Sequence, residues 1–423
     1  MIGFKTGINQ IIYTSLGDYL PFTKSIPFSL TAKKSGLKTK VKASDSILRW
    51  KDLIAGHQVL SDHADLEYDD IAMLQYTGGT TGKSKGVILS HGNLSCQIQQ
   101  INAWFPTFAR RDEVILGALP FFHSFGLTCA MNNAVFAGWG NILVARPSAE
   151  NLLAAIRKYS PTFVPLVPSM YIGILQHPNI QKADLKSIKA CFSGSAPLPV
   201  EVMKRFEAMT GAAISEGFGL TESSPITHAN PFQGKRKIGS VGLPFPDTEC
   251  RIVDFNDSST DMAVGQPGEL IVKGPQVMQG YWNNPEETAR ALKDGWLYTG
   301  DIAKMDAEGY FYIVDRKKDM IISAGYNVYP REVDEVFYGH PNVQEACAIG
   351  LPHPTRGEQI KVFVVLKEAK ETTGQDLIDY CREKMAGYKL PGEIEFRDEL
   401  PKSSVGKILR KTLRDEEMKK LGL

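Results

Sequence analysis

Apolar positions along this chain change their period several times, and the changes mark out elements. An apolar run, Ile71-Ala-Met-Leu74, gives way to a Gly/Thr-rich stretch and then to a second run, Gly86-Val-Ile-Leu89. Asn93 follows, with Leu94, Ile98 and Ile101 at the spacing of one helix face. That order predicts strand, loop, strand, and a helix capped by Asn93. From Phe163 and Val164 to Gly194, short apolar segments again alternate with helical patterns, as α/β architecture requires. Residues 249–273 differ. There Glu249-Cys-Arg-Ile-Val253 and Gly268-Glu-Leu-Ile-Val272 flank a polar turn, which predicts an antiparallel pair.

A charged break, Asp315-Arg-Lys-Lys-Asp319, separates two further apolar stretches. Beyond it, Ala346-Cys-Ala-Ile349 and Val362-Phe-Val-Val-Leu366 read as strands, and Leu377, Ile378, Cys381 and Met385 as one helix face. The predicted organisation is a large α/β domain with a small β section over residues 1–318, followed by an α+β domain over 319–423. The most apolar region, Val114 to Ala145, is interrupted by Pro120, His123, Asn132, Asn133 and several glycines. It therefore predicts buried strand and helix, since a membrane span needs roughly 20 uninterrupted apolar residues.

Composition removes some function classes. A 43% hydrophobic and 22% charged content is that of a globular chain, and a formal net charge of +1 supplies no field for nucleic acid. The 6 cysteines, at 96, 129, 191, 250, 347 and 381, form no CxxC pair and no metal-ligand spacing, which fits a reducing, cytoplasmic setting. No signal-peptide pattern opens the chain. Residues 26–50, with Lys33, Lys34, Lys38, Lys40 and Lys42 among Ser, Thr and Gly, are expected to form an exposed connector. Peripheral contact with the inner face of a membrane is the alternative use of that segment.

The strongest chemical signal is Tyr76-Thr-Gly-Gly-Thr-Thr-Gly-Lys-Ser-Lys-Gly86. Its glycines let backbone approach an anion, while Thr77, Thr80, Thr81 and Ser84 add hydroxyl donors and Lys83 and Lys85 add charge. A flexible turn would not need that density of donors. A Walker A loop fails at its first glycine, where this chain has Thr77. Six more motifs follow: Pro120-Phe-Phe-His-Ser-Phe-Gly126, Ser193-Gly-Ser-Ala-Pro197, Glu216-Gly-Phe-Gly-Leu-Thr-Glu222, Tyr298-Thr-Gly-Asp301, Asp315-Arg-Lys-Lys-Asp319 and Pro401-Lys-Ser-Ser-Val-Gly-Lys407.

In type and order these seven motifs resemble the adenylate-forming superfamily, and Ile11 to Leu20 looks most like bacterial long-chain fatty acid–CoA ligases. The resemblance implies ATP, Mg²⁺ and coenzyme A acting on a fatty acid, through an acyl-adenylate. It implies that Thr77, Gly78, Gly79, Thr80, Thr81 and Gly82 hold the β- and γ-phosphates, reinforced by Lys83 and Lys85. Thr221 would bond the α-phosphate and Glu222 would take the metal, although Thr-Glu alone also reads as a helix cap. Gly194, Ser195, Ala196 and Pro197 would face adenine across from Gly217, Phe218 and Gly219. Phe218 stands where relatives often have Tyr, so stacking survives without a phenol. Asp301 would accept from the ribose hydroxyls and Arg316 would reach ribose or phosphate; taken alone, Asp301 is a turn residue.

His123, alone a core histidine, would gate the acyl pocket together with Phe122. Lys407, alone a solvated tail lysine, would stabilise charge during adenylation. Lys318 matches the hinge of a mobile lid, and Ser323, Ala324 and Gly325 match the lining of the CoA tunnel. Relatives carry a segment before the equivalent of Met1, so the large domain is expected to be N-terminally incomplete. Within the resemblance, an aryl- or short-chain acyl-CoA ligase, a fatty acyl-AMP ligase and a non-catalytic nucleotide- or acyl-binding remnant remain alternatives. A homodimer is left open.

Overall fold

The computed structural model describes residues 7–15, 17–34, 41, 44–55, 64–77, 84–108, 111–255, 257–367, 372–403 and 406–422. The chain divides into two compact units, Met1–Leu66 and Glu67–Leu423. In the first, strand Ile11–Tyr13 pairs in parallel with Ile47–Arg49. Asp18 ties that unit together by accepting from the Ser15 amide and pairing with Arg49, whose guanidinium holds the carboxyl below its usual range. The connector expected at 26–50 is corrected in part, because residues 26–34 belong to helix Phe22–Lys34. Phe22, Ile26 and Leu30 recur every fourth residue along it, a helical period hidden among lysines and hydroxyl residues, and all three are exposed. Lys38, Lys40 and Lys42 lie outside the described residues.

The second unit is built on a seven-stranded sheet. Its strands run in the order Leu243–Pro244, Ile226–Ala229, Ala213–Gly219, Ala190–Ser193, Phe163–Leu166, Val114–Gly117, Gly140–Leu143. The last five in that order are mutually parallel, and their apolar runs read continuously because helices cover the sheet. Helix Ala149–Tyr159 shows how a covering helix is specified. Ser148 caps it by accepting from the Asn151 amide, and Leu152, Leu153, Ala155 and Ile156 turn inward. They meet Leu116, Val164, Leu166, Ile174 and Phe206, so that burying each large side chain contributes about 1.5–3 kcal/mol.

The strand–loop–strand–helix unit at 71–104 is present, with two corrections to its helix. Strands Ile71–Thr77 and Lys85–Ser90 are antiparallel, and the helix spans His91–Trp104. Its cap is Ser90, and Asn93 is the reciprocal partner of a capping box. The buried face carries Asn93, Gln97, Gln100 and Ile101, while Leu94 and Ile98 are only half-buried. Those amides serve neighbouring loops. Gln97 accepts from the Ile226 amide at 2.6 Å, Gln100 donates to the Pro246 carbonyl at 2.6 Å, and Asn93 donates to the carbonyls of Pro275 and Val277. Buried loop backbone has to be paired, and this helix face does it.

The antiparallel section is as expected, with Glu249–Val253 against Gly268–Lys273. That second strand also pairs Trp296–Met305, which in turn pairs Phe311–Arg316. C-terminal to these, Ile321–Ser323, Tyr326–Val328, Val343–His353, Gly357–Leu366 and Glu393–Phe396 make a five-stranded sheet. Helices Pro330–Tyr338 and Gly374–Arg382 close its core around Phe337, Leu377 and Cys381. Among the described residues, no helix is long and apolar enough to cross a membrane.

Candidate active site

Three of the motif loops leave the C-terminal ends of parallel strands in one sheet, the edge where doubly wound sheets bind ligands. The aromatic stretch 120–126 follows strand Val114–Gly117, residues 194–197 follow Ala190–Ser193, and Thr221 and Glu222 follow Ala213–Gly219. They meet in space. A Cβ on Gly194 would lie 3.4 Å from the Phe125 ring, and the Ser124 and Thr221 hydroxyls are 3.5 Å apart. The C-terminal motif joins them from far along the chain. A Cβ on Gly406 would strike the Ser169 hydroxyl, in the first turn of the helix that follows strand Phe163–Leu166.

The loop Gly194–Pro197 is held in a strained shape, with Ser195 at φ +71°. Its exit is fixed by Glu216, whose Oε1 accepts from the Leu198 amide at 3.2 Å. Burial pushes this carboxyl up to about 7, partly opposed by that amide and by the Arg331 charge. Phe218 lies cross-strand from His228 with ring centroids 6.2 Å apart, and a Cβ on Gly217 would overlap the Phe192 ring. The Phe192 ring leaves no room for a larger residue there.

Asp301 and Arg316 face each other across the paired strands Trp296–Met305 and Phe311–Arg316, and Arg316 Nε donates to Asp301 Oδ1 at 2.7 Å. Asp301 Oδ2 is buried without a partner among the described residues. Burial pushes the carboxyl up to about 6, with Arg316 and then Lys407 pulling it back. The Lys407 side chain keeps solvent access, yet crowding desolvates its ammonium and pushes it down to about 8; Arg316 adds repulsion and Asp301 opposes. An unpaired acceptor beside a cation is an incomplete site, shaped for a ligand carrying hydroxyls and negative charge.

Glu222 stands in a single 3-10 turn, Thr221–Ser223, rather than at the head of an α-helix. Tyr281, absent from every sequence motif, donates to Glu222 Oε1 at 2.8 Å. Burial and the Glu222 charge hold its phenol well above the usual range, so it stays a donor. Lys85 lies over the Tyr281 ring, 5.0 Å from the centroid, and is ion-paired with Glu287. Thr77 and Lys85 are cross-strand partners that fix both ends of the Gly/Thr-rich loop between them. Gly78, Gly79, Thr80, Thr81, Gly82 and Lys83 lie outside the described residues. Among the described residues, no group of three or more His, Cys, Asp or Glu side chains could hold a metal ion, and none donates to Glu222 Oε2. One carboxylate with a free oxygen suits Mg²⁺, which is usually shared between a single protein ligand, phosphates and water.

His123 accepts from the Phe125 amide through Nδ1 at 3.3 Å, leaving the proton on Nε2. Burial, and then the Lys407 charge, hold it below the usual imidazole range. Phe122 is 69% exposed, while its carbonyl accepts from Gln75; Phe121 and Phe125 are the rings packed on the core. Lys318 sits exposed in the turn between Phe311–Arg316 and Ile321–Ser323. Ser323 is buried, and Ala324 at φ +52° and Gly325 at φ +83° form an open hairpin tip.

The two shifted groups give a pH prediction. A carboxyl near 6 loses its acceptor on acidification, and an ammonium near 8 loses its charge in alkali. For a reaction at this site, kcat/KM should therefore trace a bell with limbs near those values. Asp301→Asn should lower kcat/KM and flatten the acid limb, leaving the alkaline one; an unchanged acid limb would remove Asp301 from that role.

Residues 22–282 match the model for AMP-binding enzyme, and residues 332–407 that for the AMP-binding enzyme C-terminal domain. The chain is 46% identical over 418 residues to a long-chain-fatty-acid–CoA ligase of Bacillus subtilis (strain 168), spanning 97% of this chain and 73% of that one. It is 41% identical over 415 residues to the long-chain-fatty-acid–CoA ligase of Escherichia coli O6:H1, with the same coverage. Among solved structures, ATP-bound MatB from Rhodopseudomonas palustris superposes with a TM-score of 0.82 at 30% identity, covering 96% of this chain and 79% of that one.

Proposed function

The chain belongs to the AMP-binding enzyme family, and from that premise we propose that it is a long-chain fatty acid–CoA ligase working through an acyl-adenylate. The observation that carries the reading is the buried Asp301 Oδ2, without a partner among the described residues, beside Arg316 and Lys407. A ribose diol would satisfy that oxygen, and the two cations flank the place where phosphate charge would develop.

In the first half-reaction a fatty carboxylate oxygen attacks the α-phosphorus of ATP, and pyrophosphate leaves. Asp301 holds the ribose, Phe218 and the 194–197 loop clasp adenine, and Thr221 bonds the α-phosphate. Lys407 bridges the entering carboxylate and that phosphate. Glu222 would hold Mg²⁺, which would neutralise charge on the phosphates. Tyr281 keeps Glu222 turned toward the nucleotide. In the second half-reaction the CoA sulfur, having given up its proton, attacks the acyl carbon and AMP leaves. For this step residues 319–423 act as a lid that turns about Lys318, withdrawing Lys407 and bringing Ser323, Ala324 and Gly325 to the pantetheine arm.

Acyl-chain selectivity tests the substrate. Each methylene buried in an apolar site adds about 0.8 kcal/mol, so kcat/KM should climb steeply from acetate through octanoate to palmitate. A preference for acetate or coumarate would overturn the fatty-acid assignment and leave adenylation standing.

A further inference from the structure

Helix Pro330–Tyr338 has no side-chain cap of its own: Tyr329, the residue before it, offers no acceptor. The missing cap comes from the other side of the proposed hinge. Asp315, at the end of strand Phe311–Arg316 and 4% exposed, accepts from the Arg331 amide through Oδ2 at 2.7 Å. Its Oδ1 accepts from the Arg316 amide at 2.7 Å, which leaves the carboxylate one orientation. The Arg331 side chain grips the same strand, with Nη1 donating to the Ile313 carbonyl at 2.7 Å and Nε bonding Glu335 at 3.0 Å. Arg410 approaches the other carboxylate oxygen, with Nη1 3.8 Å from Asp315 Oδ1. Arg410 is itself fastened to the C-terminal sheet through the Ala348 carbonyl, and to helix Pro330–Tyr338 through the Asp334 carboxylate.

This cluster has a direct line to the catalytic groups. Asp315 precedes Arg316, the partner of Asp301, and Arg410, the first residue of helix Arg410–Lys420, closely follows Lys407 in the chain. Lys318 separates Asp315 from Arg331 in sequence, so any rotation about Lys318 must change the distance between them. A contact that exists only when Lys407 faces the nucleotide stabilises that arrangement and no other.

We propose that Asp315 and Ile313, gripped by Arg331 and flanked by Arg410, form a latch that holds the C-terminal region in its adenylating position, so that its release sets the passage to thioester formation. This rests on the ligase reading and adds to it a positioning device outside the substrate-contacting set. Arg331 is the arm to test, because its side chain lies at the rim of the cluster and Arg331→Met keeps the apolar stem while removing the grip on Ile313.

In Arg331→Met, exchange of pyrophosphate into ATP with palmitate present should fall about tenfold, the effect of losing one hydrogen bond from a charged donor. Thioester formation from supplied palmitoyl-adenylate should be unchanged or faster. A structural role alone would depress both. Trypsin supplies a readout independent of activity: cleavage after Lys317 and Lys318 should quicken several-fold in the free variant at an unchanged melting temperature. Equal losses in both half-reactions, or unaltered exchange with unaltered cleavage, would overturn the latch while leaving the ligase assignment intact. If the wild-type chain exchanged pyrophosphate with no carboxylic acid, the ligase reading itself would fall. The tryptic comparison would then decide the latch alone.

Discussion

Replacing Lys407 with alanine is expected to lower the rate of acyl-adenylate formation by roughly two or more orders of magnitude, the scale of removing one electrostatic stabiliser from a reacting centre. The ammonium lies among Asp301, Arg316 and Arg410, and crowding rather than pairing governs its proton affinity. A cation held this way, with no committed partner among the described residues, is free to follow charge as it moves from carboxylate to phosphate. The same variant should convert supplied acyl-adenylate and CoA to thioester at nearly the normal rate, because the proposed lid rotation has already withdrawn the lysine by then. Gly325→Leu should behave in reverse. Its Cβ would meet nothing within 4 Å in this arrangement, and φ +83° costs a side chain only about 1–2 kcal/mol, so folding and pyrophosphate exchange should survive. Bulk at the hairpin tip would then obstruct the thiol arm. Equal losses in both half-reactions for both variants would argue for one fixed site and against alternation.

What the sequence could and could not foretell follows from the range of the contacts involved. The strands at 71–77, 85–90, 249–253 and 268–273 were legible because each is specified within a few residues, by apolar runs and the turns that bound them. The segments carrying Gly194, Thr221 and Asp301, the last within strand Trp296–Met305, were legible as motifs, because each is marked by residue types set within a few positions. The face of helix His91–Trp104 was not. Gln97 and Gln100 look like solvent residues by polarity, and only the loops they serve, 129 and 146 residues away, make burial favourable. Tyr281 was missed for the same reason: it sits 59 residues from Glu222 and in sequence is one aromatic among many. Lys85 reads locally as a free cation in a donor-rich loop, but its ammonium is turned toward Glu287, 202 residues on, a partner that no local pattern announces. Glu216 lay inside a recognised motif without a role, and no local pattern announces that Leu198 needs an acceptor.

Gly219→Ala should abolish measurable nucleotide binding, and the cause is a clash with backbone rather than the loss of a ligand contact. An added Cβ would sit 1.9 Å from the Pro225 carbonyl oxygen and 2.6 Å from its carbon, and both are backbone atoms that cannot swing aside as a side chain would. That carbonyl closes the turn bearing Thr221 and Glu222, accepting from the Leu220 amide at 2.9 Å and from the Ser223 hydroxyl at 2.6 Å. Relieving the overlap moves the carbonyl, strains a packed site by about 1–3 kcal/mol, and leaves buried donors short of an acceptor at about 1–3 kcal/mol each. The turn would then present Thr221 and Glu222 out of register with Asp301. Gly211→Ala is the fitting control: with φ +74° at the end of helix Val200–Thr210 and open space around it, it costs about 1–2 kcal/mol of conformational strain without touching the site. Calorimetric titration with an unreactive ATP analogue separates the two. Normal affinity in Gly219→Ala at a normal melting temperature would mean that the turn tolerates displacement, and that Thr221 and Glu222 are not held in place by the Pro225 carbonyl.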